Sequence, residues 1–294
     1  MRALTNQASK LQVQKLKRQD LIFWIVGLLT LAFALITLLS LILDMAITGW
    51  PRITAHFFMT FPSRYPEKAG IYSAWVGSLL VMLVTALLAI PLGVASGIFL
   101  EEYAKKNWLT KIIEINILNL AGIPSITYGL MALGIFVYKL HLGQSLLTAG
   151  LTLGLLILPI IIVTTREAIR TIPSHIREAS YSLGATKWQT VWNHILPYSS
   201  GGIMTGVVIA LSRAIGETAP LITVGALTFI AFLPSSLMDP YTVMPIQMFN
   251  WVSRPQEEFH VNAAAAGIVL LGMTLFLNGT AIFIRYRFRK KYKW

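Results

Sequence analysis

Apolar residues run almost unbroken over 21–43, 71–100, 117–138, 145–165, 203–232 and 262–284, with polar residues gathered between the runs. About 20 such residues cross a hydrocarbon layer of roughly 30 Å, so the pattern predicts six membrane-crossing helices. The second and fifth runs are longer than a crossing requires and are expected to tilt, kink or extend past the membrane. An all-α membrane protein follows, with no room left for a soluble domain.

Prolines interrupt four runs, at Pro91, Pro124, Pro159 and Pro220. Each removes a backbone bond to the carbonyl four residues earlier, so a broken helix is expected at each. Freed carbonyls in a membrane must face protein or a water-filled cavity, which suits a pathway better than an inert anchor. The pairs Gly93/Gly97, Gly150/Gly154 and Gly202/Gly206 mark sites where helices can approach closely.

Composition sharpens this reading. Of 294 residues, 55% are hydrophobic and 12% charged, and the mean hydropathy is +0.67. The net charge of +12 is not a nucleic-acid patch, because the basic residues sort by membrane side. Most fall at 2–18, 105–111, 166–187 and 285–293, and only Arg52, Arg64, Lys68, Lys139 and Arg254 fall in the alternate loops. This bias orients the chain with both termini in the cytoplasm. The expected organisation is a cytoplasmic tail at 1–20, an anchor helix at 21–43, a five-helix core at 71–284 with a cytoplasmic elbow at 166–197, and a basic tail at 285–294. The first run ends LILDMA without a small-residue cleavage site, so it reads as an uncleaved anchor. With no cysteine, disulfides and thiolate chemistry are excluded.

Two long outer loops, 44–70 and 233–261, are rich in proline and aromatic residues. They are expected to form short surface helices, serving either as interfacial anchors or as partner contacts. The long inner loop contains SHIREASYSLGATKWQTVWNHILP. Ser174 can cap a first helix and Gly184 can end it, while Thr186 and Gln189 have capping-box spacing for a second helix that stops before Pro197. Ile176, Ala179, Ser180 and Leu183 would share one exposed face of the first helix. Glu101 and Glu102, beside Lys105 and Lys106, are expected to form a solvated charge cluster.

The fifth run carries LSRAIGETAPL at 211–221. Arg213 and Glu217 would together cost roughly 6 kcal/mol if they faced lipid, so they should face the bundle interior or water. Helical spacing would align Arg213, Gly216, Glu217 and Pro220 on one stripe. Two readings are open: an i,i+4 pair that pins helix packing, or an arginine fork that receives oxyanion oxygens beside a carboxylate that orients it.

Glu178-Ala179-Ser180, Gly184 and Leu196-Pro197 resemble the E-A-A, G and L-P spacing of the cytoplasmic loop in permease subunits of bacterial ABC importers. Ser180 stands in place of the second alanine, and His194 where isoleucine is usual. Ser212 to Leu221, with LGVASGIFLEEYA at 92–104, looks like the PstA-type permeases of bacterial phosphate importers. The resemblance implies a type I importer permease fold with six spans in the bacterial inner membrane. It implies phosphate translocation at Arg213 and Glu217, and ATPase coupling at Glu178, Ala179, Ser180, Leu183 and Gly184. It also implies a heterodimer with a homologous permease, a dimeric ATPase carrying ATP and Mg, and a periplasmic phosphate-binding protein. The alternatives are another oxyanion such as sulfate or molybdate, a stand-alone channel, or an intramembrane enzyme. No G-x-x-x-x-G-K-[ST] loop occurs, so ATP is not bound by that route, and five scattered histidines predict no metal site.

Overall fold

A computed structural model describes residues 2–291, and among them four of the six long apolar runs are continuous helices. The first helix, α1 (Arg2–Gly49), joins the expected tail and anchor without a break. Residues 2–20 are mostly good helix formers, and no proline precedes Pro51, so nothing ends the helix at residue 20. The last helix absorbs the expected basic tail in the same way, reaching Lys291. Met1 and residues 292–294, the outermost parts of the two expected tails, lie outside the described residues.

Between these ends stand α2 (Ala55–Met59), α3 (Tyr72–Ile98), α4 (Trp108–Ala121), α5 (Ser125–Ala132), α6 (Leu146–Arg170), α7 (Ser174–Ser182), α8 (Lys187–Thr190), α9 (Leu196–Ile215), α10 (Ala219–Thr223), α11 (Met244–Val252) and α12 (Glu258–Lys291). Among the described residues five helical stretches are long and apolar enough to cross a membrane, and a sixth crossing is counted if the bent pair that begins at Trp108 is taken as one.

The prolines divide into two kinds. Pro91 and Pro159 lie inside the continuous α3 and α6, against the expectation of breaks there. Each removes a single bond, and close packing between α3 and α6 holds the turns together. Pro124 and Pro220 do stand at breaks. At 122–124 the chain turns by 107°, so the run over 117–138 divides between α4 and α5 at the break expected for Pro124. Gly122 closes α4 through its N–H to the Asn119 carbonyl at 3.0 Å, and the Tyr128 hydroxyl donates across the bend to the Leu120 carbonyl at 2.8 Å.

The fifth run also departs from expectation. It ends at Ile215, well short of residue 232, and at its other end it is continuous with α8 through a π-helical turn, Val191–Ile195. In that turn the Leu196 N–H bonds the Val191 carbonyl, five residues back. Pro197 then falls in the first turn of α9, where no donor is missed. The second elbow helix therefore runs on into the fifth span instead of stopping before Pro197.

Within the bundle α6 is central, packed between α3 and α9, while α9 meets α12 and α12 meets α1 and α11. Glycine allows close approaches on both sides of α6. A Cβ on Gly93 would lie 2.6 Å from the Ile161 side chain of α6, and one on Gly202 of α9 would lie 2.6 Å from the Ala168 Cβ. At the end of the bundle remote from the elbow, the two long loops fold onto each other. Phe57, Ile71, Met244, Trp251 and Phe259 form one buried cluster. Arg52 ties it down, donating from Nε to Asn262 Oδ1 at 2.7 Å and from Nη2 to the carbonyls of Pro66, Glu67 and Ala69. Trp251 is fully buried, so α11 is a core element and not the surface helix expected in that loop.

Candidate functional site

The charged segment of the fifth span forms a break between two helices. α9 closes at its C-terminus through Gly216 N–H to the Arg213 carbonyl at 3.3 Å and Glu217 N–H to the Ala214 carbonyl at 3.2 Å. The chain restarts at α10, whose first turn holds Pro220. Arg213 Nε donates to Glu217 Oε1 at 3.1 Å, with side-chain exposures of 39% and 15%. Among the described residues neither Nη of Arg213 has a protein partner, so the fork keeps its outer donors for another acceptor.

The four residues expected on one stripe do not share one. Gly216 is exposed and stands at the end of α9. Pro220 is buried against α5, where a Cβ on Gly129 would lie 2.7 Å from the Pro220 Cα and 2.8 Å from its carbonyl oxygen. The physical reason is the helix end at Ile215: beyond it the i+7 rule no longer applies. Instead, two interruptions meet, the α4–α5 bend on one side and the α9–α10 break on the other, and Gly129 lets them touch.

The elbow forms with the turn chemistry its sequence carries. Thr186 and Gln189 make the reciprocal capping box, and Gly184 has φ +82°, a conformation that disfavours any side chain. Ser174 is the first helical residue and not a cap; Pro173 holds the capping position with no side-chain bond. The expected exposed face is also split. Leu183 is 89% exposed, and Glu178 and Ala179 are exposed beside it. Ser180, by contrast, is buried with its hydroxyl 2.8 Å from that of Thr190, joining the two elbow helices. Ile176 packs on Ile169, Ile172 and Ile195. The hydroxyl is what draws Ser180 inward, since Thr190 offers it a buried partner.

Sequence reasoning missed a charge network at the root of the elbow. Glu101 and Glu102 lie in a π-helical turn, Phe99–Tyr103, that extends α3. They do not form a solvated cluster with Lys105 and Lys106. Glu101 Oε2 accepts from Arg166 Nε at 3.3 Å and Arg170 Nε at 3.0 Å, and Arg166 Nη2 also reaches Glu114 Oε1 at 2.7 Å. Glu102 is buried and accepts from Arg177 Nε at 3.0 Å and Nη2 at 2.7 Å. The available signal was the i,i+4 pair Arg166 and Arg170, which presents two guanidinium groups from one face of α6. Beside this network, an apolar cavity of about 720 Å³ opens between α3 and the elbow, lined in part by Pro91, Val94, Trp188 and Trp192. No group of three or more potential metal ligands occurs among the described residues.

Residues 89–293 match the family described as binding-protein-dependent transport system inner membrane component. The chain belongs to that family. This permease is 31% identical to the phosphate transport system permease protein PstA of Yersinia pestis over 290 residues, covering 98% of this chain and 96% of the relative. It is 30% identical over 261 residues to PstA 1 of Mycobacterium tuberculosis, covering 86% and 84%. In fold it is similar to a chain of a bacterial alginate ABC transporter solved with an alginate pentasaccharide-bound periplasmic protein, with TM-score 0.68, 16% identity and coverage of 92% and 96%. A chain of the inward-facing MetNI methionine ABC transporter gives TM-score 0.60 at 17% identity, covering 72% and 93%. The permease is thus a multi-pass inner-membrane transport subunit with the type I importer fold, and it is not an enzyme.

Proposed function

We propose that this permease supplies one half of the pathway of an ATP-driven phosphate importer. The observation that carries the reading is the state of Arg213. Its Nε is held by Glu217 inside a helix break, while both Nη groups stay free on a half-exposed face. A guanidinium oriented in this way presents two parallel donors to a tetrahedral oxyanion. The similarity to PstA permeases over nearly the whole chain supports phosphate as that oxyanion. Glu217 fixes the fork and can accept a proton from a protonated phosphate oxygen. Gly216 leaves the backbone beside the pair uncovered, and Pro220 anchors the far side of the break on Gly129.

The partners follow from the same reading. The exposed face of Glu178, Ala179 and Leu183 docks into a cleft of a separate ATPase, present as a dimer and carrying ATP and Mg. Ser180 supports that face from beneath through Thr190, and Gly184 sets the angle between the elbow helices. Both termini and the elbow lie on the cytoplasmic side. A periplasmic phosphate-binding protein delivers substrate to the opposite end. The half-exposed Arg213 faces a homologous permease in a heterodimer, and ATP-driven movement of the elbow alternates its exposure.

Uptake of labelled phosphate into sealed vesicles by the assembled complex tests the reading. Uptake should require ATP and the ATPase, and excess sulfate or molybdate should not compete. Competition would replace phosphate with that oxyanion, and ion flux through the chain alone without ATP would make it a channel.

A further inference from the structure

The elbow joins α6 and α9 through the chain itself, but α3 has no such link to it. One contact closes that gap. Arg177 of α7 donates through Nε and Nη2 to Glu102 at the end of α3, across 75 positions of sequence. Its two terminal nitrogens also bond the backbone, Nη1 to the Ile172 carbonyl at 2.9 Å and Nη2 to the Ile169 carbonyl at 3.3 Å. Side-chain exposure is 6% at Glu102 and 22% at Arg177. Next to this pair, Lys187 Nζ of the second elbow helix sits 5.1 Å from the Tyr103 ring centroid. The end of α3 is therefore held by both elbow helices.

We propose that the Glu102–Arg177 pair is a coupling strut that delivers elbow movement to α3, so that the elbow acts on both sides of the Arg213 break. This rests on the importer reading. On the near side of the break the elbow is continuous with α9 through α8. On the far side the path is α3, a 27-residue helix roughly 40 Å long at 1.5 Å per residue. At its other end α3 holds the segment that follows the break. Ser73 Oγ donates to the Ile230 carbonyl at 3.1 Å, and Ser78 Oγ accepts from the Met244 N–H at 2.8 Å. A Cβ on Gly77 would collide with the Thr242 carbonyl oxygen. A rigid rod gripped at both ends transmits displacement through packed contacts and needs no flexible link.

Arg177 immediately precedes Glu178 in the helix that presents the docking face, so a load on that face reaches Arg177 within the same turn. Glu101, one residue before Glu102, is bound instead to α6 through Arg166 and Arg170. The two neighbouring carboxylates thus have separate duties, one fixing α3 to the bundle and the other linking it to the elbow. Glu102 and Arg177 are positioning residues; neither needs to touch phosphate.

The test uses the full complex in proteoliposomes, with ATP hydrolysis and phosphate uptake measured on the same samples. Wild-type uptake comes first, and its absence would remove the importer reading itself, whatever the strut does. Glu102→Gln and Arg177→Lys are expected to keep the ATPase bound and hydrolysis within about twofold, while phosphate moved per ATP falls roughly tenfold. Because the chain has no cysteine, the pair Glu102→Cys/Arg177→Cys, in a complex whose partners lack reactive thiols, offers a second measurement. Uptake per ATP should be low with the thiols free, recover when a short bis-methanethiosulfonate bridges them through two disulfides with loss of two methanesulfinates, and fall again on reduction. Unchanged uptake per ATP in the variants, a parallel loss of uptake and hydrolysis, or no recovery on bridging would each overturn the proposal.

Discussion

Two of the permease's arginine–glutamate pairs have opposite character. Arg213–Glu217 is local, i,i+4, and half open to its surroundings, with one contact made and the outer donors unused. Arg177–Glu102 joins distant parts of the chain, is mostly buried, and uses every guanidinium nitrogen. A pair with spare donors can receive a ligand; a satisfied one can only hold or transmit. Their burial costs differ too, since removing one member of a buried pair strands the other charge, whereas solvent screens much of an exposed pair's attraction. The open pair is accordingly the candidate substrate contact, and the closed one the mechanical link.

The comparison breaks most directly at Arg213. Arg213→Ala removes charge-assisted bonds worth about 1.5–3 kcal/mol each and is expected to lower phosphate uptake roughly tenfold to hundredfold, with assembly unchanged on gel filtration. Glu217→Gln should do less, because the amide oxygen can still accept from Nε. Full uptake by both variants would reduce the pair to helix packing. Gly129→Ala is expected to rank next. The added methyl meets the Pro220 backbone, and overpacking of this kind costs about 1–3 kcal/mol. Uptake should fall several-fold and the complex should melt earlier, while isolated ATPase docking is unaffected.

Gly184→Ala probes the other side of the comparison. A left-handed backbone position costs a non-glycine residue about 1–2 kcal/mol, and space around Gly184 is open. The variant is therefore expected to shift the elbow angle without a clash. ATPase affinity, measured by co-purification, should drop a few-fold, and Gly184→Trp should drop it further. Equal affinity in both variants would detach Gly184 from docking.

How far these features were legible in the sequence depended on the range of the interaction behind them. The Thr186–Gln189 capping box and four of the six apolar runs rest on local pattern, and these appear in the structure as the pattern implied. The E-A-A-like segment does form a helix beside a left-handed Gly184. Helix ends were less readable, because the effect of a proline depends on what surrounds it. Pro91 and Pro159 are absorbed by packing, Pro197 by a π-helical turn, and only Pro124 and Pro220 mark interruptions. The Pro220 contact with Gly129 and the burial of Ser180 by Thr190 need tertiary information. So does the pairing of Glu102 with Arg177, since adjacent Lys105 and Lys106 offered the carboxylates a nearer and wrong partner.

The smallest expected effect lies at the opposite end of the bundle, in the loop that follows the break. Asp239 Oδ2 accepts from the Ser235 hydroxyl and N–H and from the Ser236 N–H. These bonds, the Ser235 hydroxyl first, hold its carboxyl below the usual carboxylate range. The folded value lies beneath the unfolded one, so the contribution is present above the ordinary aspartate value of about 3.9 and is lost as pH falls through the folded value. The same turn is tied to the start of α6, where Leu146 and Leu147 donate to the Asp239 and Leu237 carbonyls. Acidification through that window should open the 235–239 turn and expose it to an acid-active protease, while the elbow is untouched. Asp239→Ala, which removes the acceptor, should show the exposed turn at neutral pH and no further change on acidification. Because the carboxylate lies at the surface, uptake itself should move by less than the effect of any glycine variant, which separates this loop from the candidate substrate contact.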